Sequence, residues 1–430
     1  MSLFLGPMRQ HIRGKKELTE KSELLHLMPK KEVYIPLVAG RTLDFDILVE
    51  EGDTVSVGTK LAETKSGLYV PIYSSVSGTY KGIVKRMHNS MRPQNHMVIE
   101  CNFKQTKVQS FAPLDWQSAT RQECVDFVKN AGIVGLGGAG FPTYVKYMKP
   151  DGVDYVLINA VECEPYITAD YRSVMDDAKD LVTGAKIMKK MAEAKMVYIC
   201  IKESHPDLIE KVKSVLTDAA GVEVRPVPDV YPMGWERVLV REVLHKEYGG
   251  LPAEAGAIIG NASTAIAIAK AFEKGEAITQ KNLTVSGECV KDPHNVCVPV
   301  GMPVSEIIEA CGGYTQDTVR LISGGPMMGK TIVNDMFVVD RAMNALTVLP
   351  AANDDAIACL RCGKCSDHCP SGLQPVRITA ALKANDVDEM SKRGVMSCIE
   401  CGMCTYICPS HIDVTENVRK AKRIVMLKKK

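Results

Sequence analysis

The sequence predicts a multidomain α/β protein with a helical C-terminal domain, and three observations carry that prediction. Short glycine-punctuated strands succeed one another between Val33 and Ile99, strands and helices alternate between Tyr155 and Val227, and eight cysteines fall into two equal quartets between Cys359 and Cys408. With 430 residues and about 150 per domain, two to four domains are expected. An apolar fraction of 46% is enough for real cores. A net charge of +2, from 53 basic and 51 acidic residues, offers no global attraction for nucleic acid or an anionic membrane. No uncharged apolar run reaches the roughly 20 residues of a spanning helix. The remaining cysteines, at 101, 124, 163, 200, 289, 297 and 311, are unevenly spaced, as reduced thiols would be. The expectation is a soluble chain of the cytoplasm.

Residues 1–30 mix glycine, proline and charge without periodicity and read as an arm. Over 31–112, the runs Asp46–Val49, Val55–Gly58 and Val76–Thr79 sit between turn glycines and build two similar halves. This resembles the flattened barrel of lipoyl and biotinyl carrier domains, a barrel-sandwich hybrid. Such a carrier needs a modified lysine at a hairpin tip. Lys65 lies in that neighbourhood, but its neighbours Glu63 to Gly67 do not stand at the usual distance from the closing glycine, so an exposed turn lysine is expected.

Residues 113–280 read as a Rossmann-like α/β domain. A helix near Cys124–Lys129 leads into Gly135-Leu-Gly137-Gly138-Ala-Gly140-Phe141-Pro142-Thr143, with four glycines in six positions. Amides in such a loop approach a phosphate without side-chain obstruction, and a helix starting after Pro142 would add the positive end of its dipole. No clear strand precedes the loop, so it is not an ordinary dinucleotide fingerprint. The strand Tyr155–Ile158 follows instead and runs into Asn159, Glu162, Glu164 and Asp170, at the end of a sheet where open α/β folds bind ligands. A helix over 176–195, a strand over 196–201, a helix over 206–216 and a strand over 222–227 complete a parallel sheet. Tyr231-Pro-Met-Gly234-Trp235-Glu236 and Gly260-Asn261-Ala-Ser-Thr264 each open a further helix. Residues 281–335 form a small strand–helix–strand module whose cysteines, at 289, 297 and 311, have no ligand spacing and read as packing.

Residues 336–430 hold the quartets Cys359, Cys362, Cys365, Cys369 and Cys398, Cys401, Cys404, Cys408, each spaced C-x2-C-x2-C-x3-C-P and offset by 39 positions. This is the spacing of bacterial two-cluster ferredoxins, in which the fourth thiolate ligates the other cluster. Two [4Fe-4S] clusters follow, one on Cys359, Cys362, Cys365 and Cys408 and one on Cys398, Cys401, Cys404 and Cys369. A zinc site uses cysteine or histidine pairs split by a longer loop and does not account for two equal sets of four. His368 is expected to be a loop residue. The basic tail from Arg419 to Lys430 reads as a solvated helix end suited to weak contact with an acidic partner or a membrane surface.

In order, the glycine loop with Lys146, Asn159-Ala-Val-Glu-Cys-Glu-Pro, Tyr231-Pro-Met-Gly-Trp-Glu, Asn261 with Thr264, Val285-Ser-Gly287, Gly324-Gly-Pro-Met-Met-Gly329 and the paired quartets resemble the RnfC family, one of the components of the Rnf electron-transport complex. The middle region is similar to the flavin- and NADH-binding subunit of respiratory complex I. The resemblance implies that Gly135, Gly137, Gly138, Gly140 and Lys146 hold the FMN phosphate, and that Asn159, Glu162, Tyr231, Gly234, Asn261 and Thr264 line the flavin. It places Phe141, Glu164 and Glu236 at the nicotinamide nucleotide, NAD(H), and makes the module at 281–335 a soluble-ligand-binding β-grasp (SLBB) unit. The sequence departs from the family at Gly6-Pro7-Met8-Arg9, where a Gly-Gly-hydrophobe-His-Pro motif is usual, and at Val38–Arg41. Val161 and Trp235 stand where the complex I protein has Asp and Glu.

The function so implied is electron transfer between NADH, FMN, the two clusters and a protein partner: ferredoxin, Rnf subunits or a dedicated reductase. The protein would be an oxidoreductase component in the cytoplasm or at the inner face of the cell membrane. A non-catalytic iron–sulfur wire that has lost nucleotide binding, serving a reductase such as proline reductase, is the alternative that Val161 and Trp235 support.

Overall fold

The computed structural model describes residues 12–40, 42–217, 220–351 and 355–428; the segment Gly6–Arg9, Arg41 and the last two lysines lie outside them. The N-terminal unit is a pair of antiparallel sheets. One orders its strands Glu32–Pro36, Pro93–Cys101, Gly78–Met87 and Thr54–Val55, and the other Phe45–Ile47, Lys60–Thr64 and Pro71–Tyr73. Alternate residues such as Val33, Ile35, Leu61, Ile72, Met97 and Ile99 meet between them, as period-2 patterning requires. Lys65 lies in the bend after Lys60–Thr64, with its ammonium 3.3 Å from Asp46 Oδ1.

The central unit is a four-stranded parallel sheet in the order Val222–Val227, Met196–Lys202, Tyr155–Ala160, Ala257–Asn261. Both faces are covered, and the strands are correspondingly apolar throughout. Val156, Ile158, Val197, Ile199 and Ile201 face the helices Arg121–Asn130, Ala178–Ala192 and Ala262–Lys274, while Leu157, Cys200 and Ile259 face the helix Glu236–Leu244. The helix expected over 176–195 is Ala178–Ala192, and a separate helix, Ala169–Asp176, precedes it with a break at Asp177. The helix expected after Pro142 is only a 3₁₀ turn, Thr143–Tyr147.

A six-stranded mixed sheet follows, ordered Leu24–His26, His294–Pro299, Gln280–Ser286, Ala345–Pro350, Val319–Ser323, Lys330–Ile332, with the helix Val304–Ala310 against it. Two of its strands come from outside the stretch 281–335. Leu24–His26 of the arm pairs parallel with His294–Pro299, and Ala345–Pro350 lies between Gln280–Ser286 and Val319–Ser323. Cys289 and Cys311 are core residues of this unit and Cys297 is buried.

The C-terminal unit packs the helices Pro375–Lys383, Val387–Lys392 and Val414–Lys428 round Leu373, Ile378, Met390, Val418 and Ala421. Its internal repeat is visible in the backbone. Arg361 and Glu400 are left-handed at φ 54° and 57°, Gly363 and Gly402 at 80° and 78°, and each glycine opens a one-turn helix. Among the described residues no helix is long and apolar enough to cross a membrane.

The central domain has one unusually close helix crossing. A Cβ on Gly184 would lie 1.9 Å from the Ala265 carbonyl oxygen, so Ala178–Ala192 can rest on Ala262–Lys274 only without a side chain there. Gly184→Ala is expected to cost about 1–3 kcal/mol through overpacking, read as a lower urea midpoint; an unchanged midpoint would contradict the crossing.

Candidate functional site

The glycine loop is held from behind and open in front. Gly140 N donates to the Gly135 carbonyl (3.1 Å) and Gly135 N to the Phe141 carbonyl (2.8 Å), closing a tight turn. Leu136 N donates to Thr264 Oγ1 (2.9 Å), and the buried Lys281 ammonium donates to the Leu136 carbonyl (3.1 Å). A Cβ on Gly137 would sit 2.9 Å from Asn261 Nδ2, so the loop lies directly on the start of Ala262–Lys274, whose N-cap is Asn261. The positive helix end at the loop is thus this one, not the expected helix after Pro142. Among the described residues the backbone N–H groups of Gly137, Gly138 and Ala139 donate to nothing, all three residues are exposed, and a Cβ on Gly138 would meet open space. Three consecutive free amides at a helix N-terminus suit an anionic phosphate. Phe141 is exposed beside them.

Asn159 bridges two chain segments at the end of its strand, donating from Nδ2 to the Gly234 carbonyl (2.7 Å) and accepting from Val161 N (3.0 Å) at Oδ1. Gly234 leaves room for Asn159 and for Cys163, whose sulfur would be 3.2 Å from a Cβ there. Asn261 Nδ2 donates to Asp170 Oδ2 (2.6 Å), and Ser263 Oγ to Asp170 Oδ1 (2.5 Å). Lys146, expected at the phosphate, donates to the Ile259 carbonyl (2.8 Å) and stands 3.5 Å from Glu236 Oε1. Val161 is buried among apolar side chains, and the Trp235 indole N–H is buried without a partner among the described residues.

The two glutamates hold backbone. Glu162 accepts from the amides of Asp170 (2.8 Å) and Tyr171 (3.2 Å), capping Ala169–Asp176. Glu164 accepts from the amides of Met327 (3.1 Å) and Met328 (2.8 Å) and fixes the Gly324–Gly329 turn. Burial pushes both carboxyls up to about 7. Tyr231 is buried, and its hydroxyl donates to the Cys401 carbonyl at 2.6 Å. Ile12, Ile399 and Met403 pack round that bond, with Cys163, Trp235 and Met327 at its edge. The expected flavin residues and the second cysteine quartet therefore share one wall.

The two cysteine loops come together: Cys365 lies within electrostatic reach of Cys408, Cys359, Cys369 and Cys404, and Cys401 within reach of Cys404, Cys369 and Cys398. Cys369, Cys398, Cys401 and Cys404 line one small cavity with Pro370 and Ile399. Backbone amides turn toward sulfur in both halves, Arg361 N to Cys359 Sγ and Glu400 N to Cys398 Sγ, each at 3.4 Å. Among the described residues no group of three or more His, Cys, Asp or Glu is placed to hold a single metal ion. The all-thiol donor set and its division into fours fit [4Fe-4S] clusters. Cys359 and Cys362 are exposed, whereas Cys401 is buried. His368 turns Nδ1 to the Lys364 carbonyl at 2.9 Å.

Sequence reasoning missed Lys281, Asp170 as the anchor of Asn261, and Lys16, whose ammonium donates to the carbonyls of Glu162 (2.9 Å), Glu164 (2.8 Å) and Ile167. Their partners are backbone atoms or lie far away in sequence, so no spacing marks them.

Four family descriptions match in sequence: the RnfC barrel sandwich hybrid domain over residues 8–104, the Nuo51 FMN-binding domain over 128–270, the SLBB domain over 282–331 and the 4Fe-4S dicluster domain over 351–409. The C subunit of the proton-translocating ferredoxin:NAD(+) oxidoreductase complex of Clostridium ljungdahlii is 33% identical over 370 residues, 84% of this chain and 80% of that one. The Na(+)-translocating counterpart of Acetobacterium woodii is 34% identical over 391 residues, 89% and 88% of the two chains. The C subunit of the ion-translocating oxidoreductase complex of Rhodobacter capsulatus is 33% identical over 397 residues, 90% and 76%. Among solved structures, an NAD+-reducing [NiFe]-hydrogenase chain aligns with a TM-score of 0.50 at 15% identity, covering 72% of this chain and 63% of that one, a likeness of fold.

The buried Glu164 makes stability depend on pH. Its native carboxyl keeps a proton to about pH 7 while an exposed glutamate loses it near 4.5. Between those values the native state binds more protons than the unfolded chain, so this contribution is present at low pH and is lost as the pH rises through about 7. Glu164→Gln, neutral throughout, is expected to flatten that fall in denaturant midpoints measured across the interval; an unchanged slope would contradict the assignment.

Proposed function

The chain belongs to the RnfC family, the C subunits of ion-translocating ferredoxin:NAD(+) oxidoreductase complexes, and from that premise we propose an electron-transfer flavoprotein that connects NADH, through FMN, with two [4Fe-4S] clusters and a protein partner. The observation that carries the reading is the seam at Tyr231 and Cys401, which joins the nucleotide crevice to a cluster loop through a buried hydrogen bond. The partner is of ferredoxin type or a fellow subunit, met at the cytoplasmic face of the membrane.

When bound, FMN converts between the hydride of NADH and single electrons, which the clusters carry onward. The chain's own groups bind and orient. The amides of Gly137, Gly138 and Ala139 and the positive end of Ala262–Lys274 would hold the phosphate, with the loop kept rigid by Thr264 and Lys281. Asn159, Gly234 and Asn261 shape the crevice floor, Glu162 and Glu164 fix its near wall, and exposed Phe141 and the pair of Lys146 and Glu236 would meet the nicotinamide nucleotide. Tyr231 keeps the loop of Cys401 in place. The quartet Cys369, Cys398, Cys401 and Cys404 would hold the cluster on the flavin side, and the quartet with exposed Cys359 and Cys362 would hold the one toward the partner.

The alternative of a nucleotide-free wire is not favoured. Val161 lies in the apolar core and Trp235 on the seam, and neither occupies the open front of the glycine loop.

Protein purified without oxygen and supplied with FMN is expected to show flavin absorbance that NADH bleaches, followed by a reduced-cluster signal in electron paramagnetic resonance. Cys401→Ser is expected to keep the bleaching and lose the cluster signal, while Cys359→Ser keeps the signal of one cluster. A brown protein bleached by dithionite and indifferent to NADH would overturn the reading.

A further inference from the structure

The arm, which the sequence leaves without a role, enters the site. Lys16 lies in the 3₁₀ turn Lys16–Leu18, and its ammonium offers three N–H donors to three backbone carbonyls, those of Glu162, Glu164 and Ile167. Around it the arm grips the same loop again. Tyr166 N donates to the Gly14 carbonyl (2.7 Å), and the hydroxyls of Thr19 and Thr168 meet at 2.7 Å in a buried contact that Asn295 Nδ2 joins, donating to Thr168 Oγ1 (2.9 Å) and the Thr19 carbonyl (3.1 Å).

The clamped loop needs holding. Glu162 and Tyr166 are left-handed, with φ 46° and 67°, although neither is glycine. Such backbone persists only where the surroundings over-determine it. The carbonyls taken by Lys16 are that of Glu162 itself and those of Glu164 and Ile167, which flank Tyr166. The loop carries Glu162, which caps the helix bearing Asp170, and Glu164, which fixes the turn against the cluster loop.

We propose that Lys16 is a positioning residue of the flavin site, clamping the 162–167 loop in its strained, binding-competent shape so that the N-terminal arm is part of the cofactor pocket. This rests on the flavoprotein reading above. The clamp works fully only while the nitrogen carries three protons, since a neutral amine has two donors for three carbonyls. The titratable groups facing the ammonium include Glu162, Cys163 and Glu164 on the loop, Lys202 at the end of its strand and His205 just beyond it. Burial lowers Lys16 to about 8, the nearby Glu162 opposing that shift. Protonated clamp and flavin affinity should therefore be lost together as the pH rises through about 8.

The test is FMN affinity, by flavin fluorescence quenching across that pH range, for the full-length protein and for Lys16→Arg and Lys16→Met. The unmodified protein is expected to weaken as the pH passes about 8, Lys16→Arg to keep its affinity because a guanidinium stays charged, and Lys16→Met to bind at least about tenfold more weakly than the unmodified protein below that pH, with a flat profile, because the carbonyls lack their donor throughout. A flat profile in the unmodified protein, or unchanged binding in Lys16→Met, would overturn the inference. Should Lys16→Met fail to fold, the contrast between the unmodified and arginine profiles decides alone. No FMN binding by any of the three would instead overturn the flavoprotein reading.

Discussion

An electron carrier divided between domains works only if the domains share a wall that stays closed, and here that wall is built round the hydrogen bond from the Tyr231 hydroxyl to the Cys401 carbonyl. The bond is buried with Ile12, Ile399 and Met403, so water does not compete for either partner. The next residue tightens it. Gly402 is left-handed at φ 78°, and a Cβ there would lie 2.4 Å from the Met327 carbonyl. Met327 is held by Glu164, and Glu164 by the loop that Lys16 clamps. Arm, central sheet, β-grasp module and cluster loop therefore converge on a few residues, and the strain in the 162–167 loop sits where they meet.

Much of the fold was legible because its determinants are local. Alternation in Val33–Ile99, continuous apolar strands such as Tyr155–Ala160 and the 39-residue cysteine repeat each carry their own period, and the structure keeps all three. What was not legible depended on partners remote in sequence. Leu24–His26 has no strand signal of its own and becomes one because His294–Pro299 offers an edge. Ala345–Pro350 fits between two strands of the β-grasp module although it lies beyond residue 335. The short helix Ala169–Asp176 was not legible as a helix of its own, because it is capped by Glu162 from the preceding loop and by no side chain of its own N-cap.

The site divides the same way. Glycines that open a loop, a cap such as Asn261 and cysteines in fixed spacing are readable because the residue type itself states what it does. The dipole was assigned to the wrong helix, since nothing in the stretch after Pro142 says that it closes as a single 3₁₀ turn, or that the start of Ala262–Lys274 comes to lie under Gly137. Lys146 matches the motif yet reaches a strand carbonyl and Glu236. Lys16 and Lys281 serve backbone carbonyls, which every residue has, so their type points to no partner.

On the proposed function, Cys369, Cys398, Cys401 and Cys404 would hold a cluster against the flavin crevice, and the other quartet would hold one farther out. Anomalous diffraction at the iron edge, from crystals grown without oxygen and with FMN, reads this directly. Two iron centres are expected, the nearer one to the flavin ring enclosed by that quartet. A nearer centre bound by Cys359, Cys362, Cys365 and Cys408, or the absence of iron from the quartet behind Tyr231, would contradict it.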